Sequence, residues 1–224
     1  MSPRPLQLEL RARTWGGRRA GAGRKPSGRR VGVPHGVRPV HDASQPAHAT
    51  LRACGGLPSL RDTRVFPALR RSFAKASRPR FRVLHFSIQR DHVHVLVEAD
   101  DRQSLIRGLQ GVAIRLAKAV NRLLARSGKV WGDRYHARTL RTPREVRNAL
   151  VYVLQNFRKH IRGAAGLDPC SSAFWFEGWS RPVPRIGIAP PIALARSWLA
   201  AVGWRRWGLI RVDERPASRP STAS

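Results

Sequence analysis

The stretch from 80 to 99, "RFRVLHFSIQRDHVHVLVEA", restricts the fold more than any other part of the chain. Two apolar runs of strand length flank a short polar turn, and both alternate. Leu84, Phe86 and Ile88 share one face of the first run, and Val93, Val95 and Val97 share one face of the second. A turn centred on Gln89 and Arg90 puts Phe86 opposite Val93 and His85 opposite His94. The apolar rows then coincide, and so do the histidines. His92 and His94, two residues apart on one strand, both leave the valine face on the opposite side. Protonated, two such imidazoles repel; neutral, they suit a shared divalent cation. A histidine pair of this spacing recurs by chance, so its meaning depends on the rest of the chain.

Around the hairpin the periodicity is regular enough to place the other elements. "HATLRACG" at 48–55 alternates like a strand and ends at Gly55-Gly56, and a helical stretch follows on Leu60, Phe66, Leu69 and Phe73. Pro67 either kinks that helix or stands in its first turn. Residues 101–127 form the clearest helix, with Leu105, Leu109, Val112, Leu116, Val120 and Leu123 at three- and four-residue spacing and Gly128 beyond its end. "VWGDRYHARTL" reads as a fourth strand. "TPRE" at 142–145 then starts a helix, with Thr142 as the cap, Pro143 first and Glu145 third. The order βαββαβ plus one more helix predicts an α+β fold of the ferredoxin-like kind. It has a four-stranded antiparallel sheet with two helices on one face, the other face free, and an additional C-terminal helix.

That last helix buries Val146, Leu150, Val153 and Phe157 at four, three and four residues. Tyr152 falls outside the stripe, in a polar sector with Asn148, Gln155, Asn156 and Lys159. Asn156 follows Tyr152 by four, which sets phenol and amide on one face. A tyrosine so placed is ordinarily a surface or interface residue.

Charge narrows the partner class. There are 43 Lys and Arg against 13 Asp and Glu, a formal charge of +30, so a polyanion is the expected partner. An arginine-rich composition also reflects base composition, since few of these cations are lysines. Arg107, Arg115, Arg134, Arg138 and Lys159 are the candidate nucleic-acid contacts within the patterned region. Residues 1–44 form a basic Gly/Arg/Pro-rich arm expected to be disordered alone, 45–162 the main domain and 163–224 a Trp-containing extension. Its tryptophans are expected to pack against the domain rather than stack on bases. Cys54 and Cys170 form no CxxC and no disulfide framework. With no long apolar run and no signal-like start, the expectation is a cytoplasmic, nucleoid-associated monomer or homodimer without membrane attachment.

"DHVHVLVEA" and "VWGDRYHARTLRTPREVRNALVYVLQN", in this order and spacing, resemble the single-tyrosine HUH transposases, and among them the REP-associated tyrosine transposases of bacteria. The resemblance covers roughly residues 45–160. It implies that His92, Val93 and His94 are the His-hydrophobic-His motif. It also implies that Tyr152 is the nucleophile and that Asn156 joins the histidines on Mg²⁺ or Mn²⁺. The implied activity is cutting and joining of single-stranded or hairpin DNA through a 5′-phosphotyrosine. Gln155 is the alternative amide ligand, and His85 a residue that orients a ligand. The chain departs from the family pattern after the helix, where "NFRKHIRG" stands in place of an Asn-Pro-Val type segment. Two other readings stay open: a non-catalytic nucleic-acid-binding module on the same topology, and a replication or conjugation initiator with the same nicking chemistry.

Overall fold

A computed structural model describes residues 40–161, 163–184 and 186–216, all belonging to one compact unit, Val33–Ser224. The expected basic arm lies, up to residue 39, outside the described residues. The elements run β1 (Ala47–Arg52), α1 (Val65–Ala74), β2 (Phe81–Ile88), β3 (His92–Ala99), α2 (Arg102–Leu123), β4 (His136–Thr139), α3 (Pro143–Gln155) and α4 (Phe157–His160). A short α5 (Trp198–Ala201) follows in the extension. The sheet order is β2-β3-β1-β4 with every neighbouring pair antiparallel, which is the expected βαββαβ arrangement.

The hairpin pairs two residues out of the predicted register. Ile88 faces Val93, Ser87 faces His94 and His85 faces Leu96, with an irregularity between Val83 and His85. Arg90 and Asp91, not Gln89 and Arg90, form the turn, because Gln89 N–H donates to the His92 carbonyl at 2.8 Å. Neighbouring segments claim both turn carbonyls: Leu60 N–H donates to Arg90 and Ala53 N–H to Asp91. A two-residue slip preserves the faces, so the histidines stay on the side opposite the valines, but the irregularity turns Leu84, expected beside Phe86 and Ile88, onto the histidine face.

On the valine face, Phe86, Ile88, Val93, Val95 and Val97 join Ala49 and Leu51 of β1 against α1 and α2 in one buried core. Pro67 is the third residue of α1, in the first turn, where its missing N–H costs nothing. Asp101 caps α2 by accepting from Ser104 N–H at 2.7 Å. β4 is shorter than the predicted strand: Trp131 makes only an isolated bridge to Ala53, and its indole donates to the Ala113 carbonyl instead.

The histidine face is not free. Leu84 and Leu96 of the sheet pack under Val146, Leu150 and Leu154 of α3, and Trp179, Trp204 and Ile210 of the extension close the same cluster. The extension therefore completes this second core. Glu98, fully buried on β3, ties it down by accepting from Arg196 N–H and Ser197 N–H, both at 2.9 Å, and from the Ser197 hydroxyl at 2.6 Å. No helix among the described residues is long and apolar enough to cross a membrane.

Candidate active site

β3 supplies the two histidines, and the second half of the site arrives with α3. The His92 and His94 rings lie edge to face, 4.7 Å between centres, and the Tyr152 ring stands 4.9 Å from that of His94. Each histidine is oriented through Nδ1. The Asp91 carboxylate accepts from His92 Nδ1–H at 2.7 Å; since a carboxylate can only accept, the proton is on Nδ1 and Nε2 keeps its lone pair. On His94, Nδ1 meets Thr50 Oγ1 at 3.0 Å and His48 Nε2 at 3.3 Å, and Nδ1–H given to Thr50 leaves Nε2 as a lone pair.

Burial keeps these imidazoles neutral. It holds His94 well below the ordinary histidine value, and the crowding of His48 and His92 and the nearby Arg52 guanidinium add to the effect by opposing a second positive charge. It lowers His92 as well, against the opposing pull of the Asp91 carboxylate. His48, on the same sheet face, is pushed down to about 4, mainly by burial.

The amides of α3 separate cleanly. Gln155 is fully buried and fully used: Nε2 donates to the Val212 carbonyl at 2.6 Å, and Oε1 accepts from Arg158 Nε at 2.9 Å. It anchors the extension, and the ligand role held in reserve for it does not fit its bonding. Asn156, next in the chain and 1% exposed, has no partner on either Oδ1 or Nδ2. His94 Nε2 is likewise buried without a partner. Buried polar atoms left bare cost roughly 1–3 kcal/mol each, a cost that a bound water or ion would offset. Lone-pair nitrogen, as on His92 and His94, and amide oxygen, as on Asn156, are donor types that suit a divalent cation. Among the described residues no group of three His, Cys, Asp or Glu is placed to hold a metal.

A cavity of about 510 Å³ opens beside Tyr152, lined by His48, Thr50, His94, His136, Arg138 and Lys159 among others. Lys159 Nζ sits 4.9 Å from the centre of the Tyr152 ring. Of the predicted basic contacts, Arg138 and Lys159 are at this cavity, although Arg138 also pairs with Glu145. Arg134 is half-buried just before β4. Arg107 and Arg115 belong to α2, so the sheet stands between them and the histidines. His85 sits apart too: its Nδ1 meets Ser172 Oγ at 3.1 Å and its ring packs edge-on against Phe176. Orientation of His94 falls to Thr50 and His48, and that of His92 to Asp91. None of the three was singled out from the sequence. Their signal is the pairing of Thr50 with His94 across β1 and β3, which local pattern does not carry. His160 was also missed; its ring lies 5.7 Å from that of His92.

Residues 63–156 match the family described as Transposase IS200 like. This segment is similar to the IS200-like transposases. The IS200-like segment contains His92, His94, Tyr152 and Asn156, whereas β1 with His48 and Thr50 precedes it. Among solved structures, one described as the REP-associated tyrosine transposase bound to a REP hairpin is similar, at 16% identity and a TM-score of 0.47. The match covers 57% of this chain and 74% of that one. A bacterial tRNA(His) guanylyltransferase-like protein in complex with GTP is similar at 12% identity and a TM-score of 0.41, over 58% of this chain and 66% of that one. No curated protein matches the chain.

Proposed function

We propose that this protein is a transposase, a metal-dependent endonuclease and strand transferase for single-stranded DNA, acting through a covalent 5′-phosphotyrosine at Tyr152. The observation that carries the reading is the bare, buried His94 Nε2 and Asn156 amide on the side of the sheet where the Tyr152 ring meets His94. His92, His94 and Asn156 would hold Mg²⁺ or Mn²⁺, which when bound supplies Lewis-acid stabilisation of charge on the scissile phosphate. The Tyr152 oxygen forms a bond to phosphorus as the bond to the 3′ oxygen breaks; the phenol loses its proton and the 3′ oxygen gains one. One phosphodiester replaces another, so the released 3′-hydroxyl can reverse the step or join a different strand without a nucleotide cofactor. Lys159 places a positive charge beside the attacking ring, and Arg138 lines the cavity that receives the strand. The rival reading, a non-catalytic module that stacks bases on an open sheet face, fits poorly, because here α3 and the extension cover much of that face and histidines line the rest.

The test is a denaturing gel after incubation with single-stranded hairpin DNA and Mg²⁺ or Mn²⁺. A protein–DNA adduct is expected from the native chain and none from Tyr152→Phe. His92→Ala/His94→Ala should abolish cleavage and leave salt-sensitive binding, which the remaining basic residues supply. An adduct that survives Tyr152→Phe, or none across varied hairpins, would overturn the proposal.

A further inference from the structure

The extension carries two tryptophans that its core does not absorb. Trp179 and Trp204 are buried, whereas Trp198 and Trp207 are 49% and 54% exposed. Both exposed rings sit beside guanidinium groups: Arg206 lies 4.9 Å from the Trp198 ring centre and Arg144 lies 5.1 Å from that of Trp207. Arg205 adds a third cation over Trp204. Arg144, Arg205 and Arg206 are exposed, and among the described residues none pairs with a carboxylate. Neighbouring Arg138, Arg147 and Arg211 each do.

The rings are also held in place. A Cβ on Gly203 would meet the Trp198 ring at 2.7 Å, so that ring rests on bare backbone. Arg147 binds the Gly208 and Leu209 carbonyls and the Glu214 carboxylate, which fixes the chain after Trp207 onto α3. Val202 and Leu209 extend the apolar ground around them, 50% and 42% exposed.

From these features we infer that Trp198 and Trp207, with Arg144, Arg205 and Arg206, form a stacking surface for single-stranded DNA flanking the site of cleavage. Aromatic faces interleaved with unpaired cations match the alternation of bases and phosphates on a single strand, whereas an apolar protein partner would leave those charges uncompensated. Arg144 precedes Tyr152 by eight residues on the same helix, about 12 Å at the helical rise, or three to four stacked nucleotides at about 3.4 Å each.

The inference rests on the proposed single-strand chemistry, and binding tests it separately from cleavage. Anisotropy would be measured with Tyr152→Phe protein and oligonucleotides whose single-stranded flank is lengthened stepwise from the hairpin. Affinity should rise with flank length. Trp198→Leu/Trp207→Leu should cancel that rise, a loss of about tenfold on the longest flank, while Trp198→Phe/Trp207→Phe keeps most of it. Arg144→Gln/Arg206→Gln, which leaves the rings in place, should flatten the salt dependence of log affinity by about 1.4. Leu and Phe variants that bind alike, or a flank without effect on the parent protein, would overturn the inference. A missing covalent adduct with this flank dependence intact would remove the nicking chemistry and leave the surface standing.

Discussion

Asn156 and Gln155 differ by one methylene and stand side by side in the chain, yet the fold treats them in opposite ways. Gln155 anchors the extension through Val212, and Asn156 keeps both polar atoms bare. Helical spacing placed them on adjacent rows, one of which follows Tyr152 by four, but it said nothing of which amide would already be bonded. That asymmetry sets the signs of a stability experiment on metal-free protein. Asn156→Leu removes unsatisfied polar atoms and should raise stability by about 1–3 kcal/mol while abolishing cleavage; Gln155→Leu strands the Val212 carbonyl and should lower stability by a similar amount. Urea unfolding in chelator, paired with the adduct assay, checks both.

At the scale of elements, contacts across the sheet override local preference. The turn at Arg90 and Asp91 is chosen because two other segments claim its carbonyls, and the choice puts Asp91 where it orients His92. Gly108, inside α2, makes the same point. Glycine in a helix interior is ordinarily improved by alanine, by up to about 1 kcal/mol. Here a Cβ would lie 2.1 Å from the buried Phe81 ring. Gly108→Ala should therefore destabilise the chain by about 1–3 kcal/mol, read as a lower urea midpoint with an unchanged slope. α3 was expected to bury one stripe, but Val151, Leu154 and Gln155 are buried too, because the helix lies between the sheet and the extension.

Over the whole molecule, the extension turns an open sheet face into a second core and in doing so encloses histidines. His85 is held down to about 3 by burial beside the extension, and His48 to about 4. Both are neutral in the native chain at pH values where the unfolded chain, near 6.5, takes up protons. The unfolded state thus binds more protons below that value, so stability from these groups is complete above about pH 6.5 and is lost as pH falls toward 4 and then 3. Denaturant midpoints should decline over that acid range, and His85→Gln should make the decline shallower. A decline equally steep in His85→Gln would assign it to other groups.

The order of strands and helices, the cap at Thr142 and the segregation of His92 and His94 from the valines followed from the sequence, because periodicity and capping are properties of neighbouring residues. The residues of the candidate site can be listed from the sequence: two histidines, a tyrosine and an amide four residues later. What joined them was not. The slip in the hairpin, Thr50 and His48 beside His94, the commitment of Gln155 and the cover over the histidine face all come from segments far apart in the chain. Those contacts form when surfaces made by different elements meet, and only the tertiary structure decided which polar atoms would be bonded and which left bare.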